Sequence, residues 1–144
     1  MAIITMIKSI KQIHPKEVML VKMGDFYHAY GKDSYILSYL MGYKLSTIEE
    51  NCSTCGFPQK SLPKIQAKLE NKKINYIVLD KRNNYDVDER SDNKNLNTYD
   101  DEFVKAHKYI NLKKRIDNIY VNLLQDINKE ETKGKIFEIE KIMK

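Results

Sequence analysis

The residues best suited to chemistry stand together in the stretch KMGDFYHAYGKD, which runs from Lys22 to Asp33. It joins an apolar run, VMLVKM, to a helix-like run, YILSYLMG, and places Phe26, Tyr27 and His28 where a turn normally has small polar residues. Two adjacent aromatic side chains at such a junction either point inward as core or are held outward to stack on a flat partner. A histidine beside them can donate as well as accept a hydrogen bond, and it attracts phosphate when it is protonated.

The elements before and after this stretch differ in their hydrophobic period. Isoleucines recur at intervals of three and four from Ile3 to Ile13, which predicts an amphipathic helix that Pro15 brings to an end. The apolar run from Val18 to Met23 predicts a buried strand. The run from Tyr35 to Met41 predicts a helix that Gly42 closes with a left-handed cap. The aromatic pair is therefore expected at a junction between a strand and a helix.

The following residues continue the mixture of helix and strand. A short strand is expected from Tyr43 to Ser46, and a loop or hairpin from Thr47 to Pro58. Ser61 can cap a helix that has a proline in its first turn, and Ile74 to Leu79 predicts a further strand. Helices and strands in this order predict that residues 1–82 form an α/β domain around a central sheet.

Two further segments follow the predicted domain. Residues 83–102 are polar and acidic, and they have too few aliphatic side chains to offset the entropy of ordering, so we expect a flexible acidic linker. Residues 103–144 have apolar residues at helical spacing, which predicts a long amphipathic helix, an interruption at Gly134 and a shorter helix. The apolar stripe spans about two heptads, too few for an isolated coiled coil, so this helical tail must pack on something.

The charge of the chain is divided unevenly between its two parts. Residues 1–82 have 13 basic and 7 acidic residues, whereas residues 83–144 have 12 basic and 13 acidic residues. A basic N-terminal part favours a polyanionic partner, although a Lys-rich solvated surface is an equally simple interpretation. No window has the roughly 18 uncharged apolar residues of a membrane span, and the N-terminus lacks the features of a signal peptide. We therefore expect a cytoplasmic protein that does not engage a membrane.

The sequence offers little for catalysis or metal binding. Cys52 and Cys55 form a lone CxxC, and the histidines lie far from it in sequence, so reduced and partly exposed thiols are favoured over a zinc site or a redox pair. There is no G-x-x-x-x-G-K-[ST] motif for a nucleotide phosphate, no Ser/His/Asp constellation and no convincing pair of acids. We expect no enzyme activity, no cofactor and no metal.

The order of motifs over residues 3–82 resembles the first domain of MutS, the DNA mismatch-recognition ATPase. A helix ending in His-Pro, an apolar strand, Met-Gly-Asp-Phe-Tyr and a helix closed by glycine follow one another as at the start of that family. The segment GFPQKSLPKIQAKL, from Gly56 to Leu69, is similar to the Gly-x-Pro-x-His segment and helix of the same domain. The run from Asn75 to Lys81 falls where that domain has its next strand. The resemblance implies a mixed central β-sheet flanked by helices.

The resemblance also assigns roles to individual residues. In the family, a Phe-x-Glu motif wedges its phenylalanine beside a mispaired base while the glutamate hydrogen-bonds the base. Phe26 takes the wedge position, Tyr27 the core-facing position between them, and His28 replaces the glutamate. Lys60 replaces the histidine of the second motif and adds positive charge. The resemblance therefore implies stacking on bases, without the discrimination that the glutamate supplies. The alternative is that Phe26 is buried and that His28 is an ordinary surface residue.

Two functions follow from these observations. The first is a non-enzymatic module that binds DNA or structured nucleic acid, with Phe26 stacking and His28 near a base edge. Its expected phosphate contacts are Lys22, Lys32, Lys44, Lys60 and Lys64. Such a module could be an accessory factor in DNA repair or of a diversity-generating retroelement, because stand-alone MutS-like domains occur beside reverse transcriptases of such elements. The alternative is an interaction module that has lost nucleic-acid binding. In both cases residues 103–144 are expected to mediate self-association or binding to a protein partner.

Overall fold

A computed structural model describes residues 3–91 and 97–144 of the protein. The chain divides into two compact units, Met1–Tyr109 and Ile110–Lys144. The first unit contains a six-stranded sheet with the order β3-β4-β2-β1-β5-β6. The strands are β1 (Val18–Met23), β2 (Phe26–Tyr30), β3 (Ser46–Ile48), β4 (Cys52–Pro58), β5 (Tyr76–Asp80) and β6 (Val87–Arg90). The helices are α1 (Ile3–Ile13), α2 (Lys32–Met41), α3 (Leu62–Asn71), α4 (Asn97–Gln125) and α5 (Glu130–Met143).

The sheet is mixed, as the resemblance implied. Strand β1 runs parallel to β5 and antiparallel to β2, and β2 runs antiparallel to β4. The two edge strands, β3 and β6, pair antiparallel to β4 and β5. The prediction of an α/β fold with a mixed central sheet, flanking helices and C-terminal helices is thereby confirmed.

The two faces of the sheet bury separate apolar clusters, because successive side chains of a strand point to opposite faces. One face packs against α2, α3 and the beginning of α4, and its cluster includes Leu20, Tyr27 and Phe57. The other face packs against α1, and its cluster includes Met19, Val21 and Tyr30. Each residue of β2 is therefore assigned to a face by its position in the strand.

A buried carboxylate joins four elements of the first unit. Asp33, at the start of α2, accepts hydrogen bonds from Lys11 Nζ at 2.8 Å, from the Met19 backbone N–H at 3.0 Å and from the Tyr99 hydroxyl at 2.6 Å. Asp33 and Tyr99 are both buried, and the ammonium of Lys11 also lies over the ring of Tyr99. Burial and the neighbouring carboxylate raise the pKa of Tyr99, so its hydroxyl remains a donor. The beginning of α4 is thus fixed to α1, β1 and α2.

The junction that carries the aromatic residues is a hairpin rather than a direct passage from strand to helix. Gly24 and Asp25 form its two-residue turn, and Gly24 has φ 63°, a left-handed value that such a turn favours at its first central residue. Phe26 begins strand β2, which ends at Tyr30 before α2 starts. The predicted strand at Tyr43 to Ser46 is also displaced. β3 starts at Ser46 and pairs antiparallel with β4, so β3 is itself the first strand of the predicted hairpin.

The structure differs from the predicted linker at residues 83–102. Val87–Arg90 form strand β6, which pairs with β5 through the backbone although its side chains are exposed. Arg90 donates two hydrogen bonds to the carboxylate of Glu17, at 2.9 and 3.1 Å. Backbone pairing needs no apolar side chains, so the composition of residues 83–102 does not indicate this strand. Helix α4 then starts at Asn97 with Tyr99 in the core, and residues 92–96 of the predicted linker lie outside the described residues.

The helical segment begins at Asn97, before the predicted residue 103, and its first part belongs to the first unit rather than to a separate tail. Phe103 and Ala106 pack in the core of the first unit, so the second unit starts at Ile110 rather than at residue 103. The interruption falls between α4 and α5, where the Lys129 N–H donates to the Asp126 carbonyl at 2.9 Å. Gly134, the predicted interruption, lies inside α5, because a single glycine in a helix costs only about 1 kcal/mol.

Candidate nucleic-acid interface

Four strands have their ends side by side at one end of the sheet. We call this end of the sheet the Phe26 edge, as distinct from the edge strands β3 and β6. Met23 ends β1, Phe26 begins β2 opposite it, and Pro58 ends β4 on the other side of Phe26. Strand β5 ends here as well, because it is parallel to β1 and its Asp80 pairs with Lys22. The N–H of Gln59 donates to the carbonyl of Asp25 at 2.9 Å, which ties the hairpin turn to the end of β4.

Phe26 and Tyr27 face opposite sides of the sheet. The side chain of Phe26 is half exposed, at 50%, whereas Tyr27 is 7% exposed. The ring of Tyr27 stacks on that of Phe57, with centroids 5.5 Å apart and planes 15° apart. Desolvation raises the pKa of Tyr27, in keeping with its place in the core. The two aromatic side chains were expected to point either inward or outward. In the structure Tyr27 points into the core and Phe26 points outward.

His28 lies on the same face of β2 as Phe26, two residues further along. Its Cα partner on β4 is Gly56, and a Cβ at that glycine would come within 3.1 Å of two atoms of the His28 ring. The ring also stacks on Tyr30, two residues further along β2, with centroids 6.4 Å apart. Burial lowers the pKa of His28, which favours the neutral imidazole near pH 7. The ring is therefore held in place and uncharged, which differs from both a carboxylate and a phosphate-binding cation.

The structure brings some of the predicted lysines to the Phe26 edge. Lys22 is half-buried near the end of β1, where it pairs with Tyr27 and thus belongs to the face opposite Phe26. Lys60 is exposed in the short 3-10 turn Gln59–Ser61 that directly follows β4. Lys64 is exposed near the start of helix α3, which directly follows the 3-10 turn Gln59–Ser61. These positions suit contacts to a backbone that passes along the edge.

The two remaining lysines do not belong to the strand ends or to the turns that directly follow them. Lys44 is exposed in the loop between α2 and β3, after Tyr43, whose ring stacks on Phe57. Lys32 begins α2, beyond the end of β2 that is remote from Phe26, and its ammonium lies 5.0 Å from the centre of the Phe103 ring. Lys32 therefore packs on α4 at the far end of the sheet and is separated from the aromatic edge.

Two basic residues that the sequence did not single out do lie at the Phe26 edge. Lys81 and Arg82 are exposed in the 3-10 turn that directly follows β5. The guanidinium of Arg82 lies 3.7 Å from the carboxylate of Asp80. The signal was present in the sequence, since basic residues that directly follow a strand parallel to β1 must reach the same edge.

The two cysteines lie on strand β4 and differ in burial. Cys55 is buried rather than partly exposed, and burial raises the pKa of its thiol to about 12. Cys52 is half-buried, and both cysteines are free. Within residues 3–91 and 97–144, no group of three or more His, Cys, Asp and Glu side chains could hold a metal ion. No helix in the same ranges is long and apolar enough to cross a membrane.

Comparison with known proteins assigns the family. No curated protein matches the chain, whereas the family model for MutS domain I matches residues 2–99, more than half of it. MutS domain I is a DNA-binding domain without a catalytic role. The match extends past Arg82 into α4, in agreement with the place of Tyr99 in the core of the first unit. The chain therefore belongs to the MutS domain I family.

Proposed function

We propose that this protein is a non-enzymatic nucleic-acid-binding protein whose contact surface is the Phe26 edge. The observation that carries the proposal is the half-exposed ring of Phe26 beside the buried ring of Tyr27. An aromatic ring at the end of a strand can stack on a base, which contributes about 1–3 kcal/mol whatever the base. Insertion between paired bases costs a few kcal/mol for unstacking, and less where pairing is already broken. Such a ring favours damaged or flexible sites.

The basic residues supply the sequence-independent part of binding. Lys22, Lys60 and Lys64, together with Lys81 and Arg82, would neutralise phosphates of a strand lying along the edge. Lys44 lies in the loop between α2 and β3, next to Tyr43, whose ring stacks on Phe57 of β4, and is a further proposed contact. Lys32 packs over Phe103 and is the weakest of the predicted contacts. Each neutralised phosphate releases counterions, so affinity should depend strongly on salt.

The biological role that fits such a module is that of an accessory factor. Residues 1–144 contain no nucleotide-binding P-loop motif, so we assign no ATP-driven step to them. We propose that the protein presents unpaired or structured nucleic acid to an enzyme of a repair system or of a diversity-generating retroelement. The second unit, Ile110–Lys144, is the part that we propose for association with that partner or with another copy of the chain.

A specific observation favours a second function, an interaction module without nucleic-acid binding. His28 replaces the glutamate of the family motif, so one of the two residues that read a mispaired base is absent. The second unit also exposes many large apolar side chains, as an assembly surface would. In this alternative Phe26 is only a tolerated exposed aromatic residue.

Fluorescence anisotropy separates the two functions. The full chain is titrated at low salt into labelled duplex DNA, duplex with one mismatch, single-stranded DNA and a structured RNA. We expect binding to at least one of them, and a loss of affinity for Phe26→Ala of about 1–3 kcal/mol. Ile13→Ala is the matched control, because Ile13 is exposed at the end of α1, far from the Phe26 edge. Absence of binding to all four ligands would favour the interaction module.

A further inference from the structure

The geometry of β2 places two rings on one face of a strand, and their environments differ. Phe26 and His28 are two residues apart in β2, so their side chains point to the same face. Phe26 lies at the end of the strand and is half exposed, whereas His28 is half-buried between neighbouring strands. Together they form a row of two rings that starts at the Phe26 edge.

The ring of His28 is positioned by its neighbours. Gly56, directly opposite on β4, leaves the space that the ring occupies, since a Cβ there would lie 3.1 Å from ring atoms. The ring also stacks on Tyr30, which is itself buried and whose hydroxyl donates to the sulfur of Met23 at 3.7 Å. A ring fixed in this way loses little freedom when a ligand stacks on it.

The spacing of the two rings matches unstacked bases. Residues two apart on one strand are about 6.6 Å apart along it, which is roughly twice the 3.4 Å between successive bases in one strand of a duplex. Two adjacent bases can therefore meet Phe26 and His28 only when they are pulled apart, as in an extended single strand. Sheets that recognise single-stranded RNA use aromatic side chains in this manner and stack two or three bases.

The charge state of His28 agrees with stacking rather than with phosphate binding. Burial lowers the pKa of the ring, so the neutral form dominates near pH 7. Neutral histidine is among the side chains on which unpaired bases stack. A carboxylate in the same place, as in the family motif, would offer an acceptor to a base edge but no ring.

We propose that Phe26 and His28 form a platform for two consecutive unpaired bases, so that this protein binds an extended single strand in preference to a mismatched duplex. The proposal rests on the proposed function, since it specifies which nucleic acid the Phe26 edge takes. Stacking does not depend on the sugar, so the single strand can be DNA or RNA.

The test compares four labelled ligands of equal length at one salt concentration: single strands of oligo-dT and of oligo-U, a duplex with one G·T mismatch and a fully paired duplex. Two substitutions at one position separate stacking from hydrogen bonding. His28→Gln keeps a side chain that can donate and accept, but it has no ring. His28→Phe keeps a ring and cannot hydrogen-bond. We expect His28→Gln to weaken single-strand binding about tenfold and His28→Phe to preserve it.

Three outcomes decide the matter. Tighter binding to either single strand than to the mismatched duplex, with affinity kept in His28→Phe and lost in His28→Gln, supports the platform, and the two homopolymers identify the sugar. Mismatched duplex bound at least as tightly as single strand, or equal losses in both variants, overturns the platform and leaves the proposed function standing. No binding to any ligand at low salt overturns the proposed function itself.

Discussion

Phe26 and Tyr27 are consecutive residues of β2 whose side chains point to opposite faces of the sheet. The ring of Phe26 is half exposed at the Phe26 edge, and the ring of Tyr27 is buried against Phe57. The contrast gives a direct prediction for stability. Tyr27→Ala should lower the free energy of unfolding by about 3–5 kcal/mol, because it leaves a cavity in the core. Phe26→Ala should lower it by less than about 1 kcal/mol, because the ring gives up little buried area.

Urea unfolding of both variants beside the wild type measures this difference. Tyr27→Phe is the control for the hydroxyl group and should stay close to the wild type. A large loss for Phe26→Ala together with none for Tyr27→Ala would mean that the assignment of the two rings to the faces of the sheet is reversed.

The smallest chain that folds should extend well beyond Arg82. Tyr99 donates a hydrogen bond to the buried carboxylate of Asp33 at 2.6 Å, and strand β6 pairs with β5. A chain ending at Tyr109 should unfold cooperatively in urea. A chain ending at Arg82 loses β6 and exposes Asp33 and the core beneath α4, so it should be partly or wholly unfolded.

A single substitution tests the same contact in the full chain. Tyr99→Phe removes a hydrogen bond to a carboxylate and should cost about 1.5–3 kcal/mol of unfolding free energy. Asp101→Asn, on the exposed side of the same helix, is the matched control and should have almost no effect. If the chain ending at Arg82 were as stable as the chain ending at Tyr109, the assignment of the beginning of α4 to the core of the first unit would be wrong.

Salt should separate the lysines from the aromatic residue in nucleic-acid binding. The logarithm of the binding constant should fall linearly with the logarithm of salt concentration. Lys60→Ala should reduce this slope by about 0.7 for a single strand or 0.9 for a duplex, because it removes one phosphate contact. Phe26→Ala should lower the affinity at every salt concentration and leave the slope unchanged. Lys32→Ala, at the far end of the sheet, should change neither quantity; a loss as large as that of Lys60→Ala would place the ligand elsewhere.

The second unit should associate. Its two helices leave large apolar side chains between 37% and 81% exposed, and exposed apolar patches mark sites of protein association. These side chains are Leu112, Ile116, Ile119, Tyr120, Val121, Leu124, Ile136, Phe137, Ile139, Ile142 and Met143. Sedimentation should show a species larger than the monomer, or a complex with a protein partner.

A pair of substitutions in α4 tests that surface. Ile116→Asp should dissociate the larger species, because it places a charge in the apolar stripe. Asn118→Asp adds the same charge at a polar exposed position of the helix and should leave the assembly intact. A full chain that remains monomeric at high concentration, alone and with candidate partners, would refute a role of this unit in association.

The stability of the protein should depend on pH through His28. Burial lowers the pKa of His28 below its ordinary value of 6.5, so between the two values the unfolded chain binds more protons than the folded chain. The free energy of unfolding that depends on a neutral His28 is therefore lost as the pH falls through 6.5 towards the pKa of His28 in the folded chain. His28→Gln should show a weaker loss between pH 7.5 and pH 5.5 in urea unfolding. Identical pH profiles of the two proteins would contradict the burial of the ring.

The sequence was sufficient to predict the elements with a strong local pattern. Helix α1 follows from isoleucine spacing, β1 from its apolar run, and the end of α2 from Gly42, which has φ 77°. The hairpin at the Phe26 edge could also have been predicted, because Gly-Asp between two apolar runs is a signal for a two-residue turn. Phe26 and Tyr27 belong to strand β2 itself and not to a junction between a strand and a helix.

The remaining features depend on contacts that no local pattern reveals. Strand β6 is held by backbone hydrogen bonds and has no apolar stripe. Asp33 looks like an ordinary acid at a helix start, and its three donors come from Lys11, Met19 and Tyr99, which are far apart in the chain. The fixed ring of His28 depends on Gly56, which is its neighbour only across the sheet.

Strand β6 has a consequence for the behaviour of the protein in a crowded solution. An unpaired sheet edge can recruit strands from other molecules and start aggregation. Here β6 carries Asp88, Glu89 and Arg90 along one edge, and β3 at the other edge has only three residues. Charged side chains and a short edge both discourage further strands from joining. The acidic run that resembled a linker thus discourages fibril-like growth from this edge of the sheet.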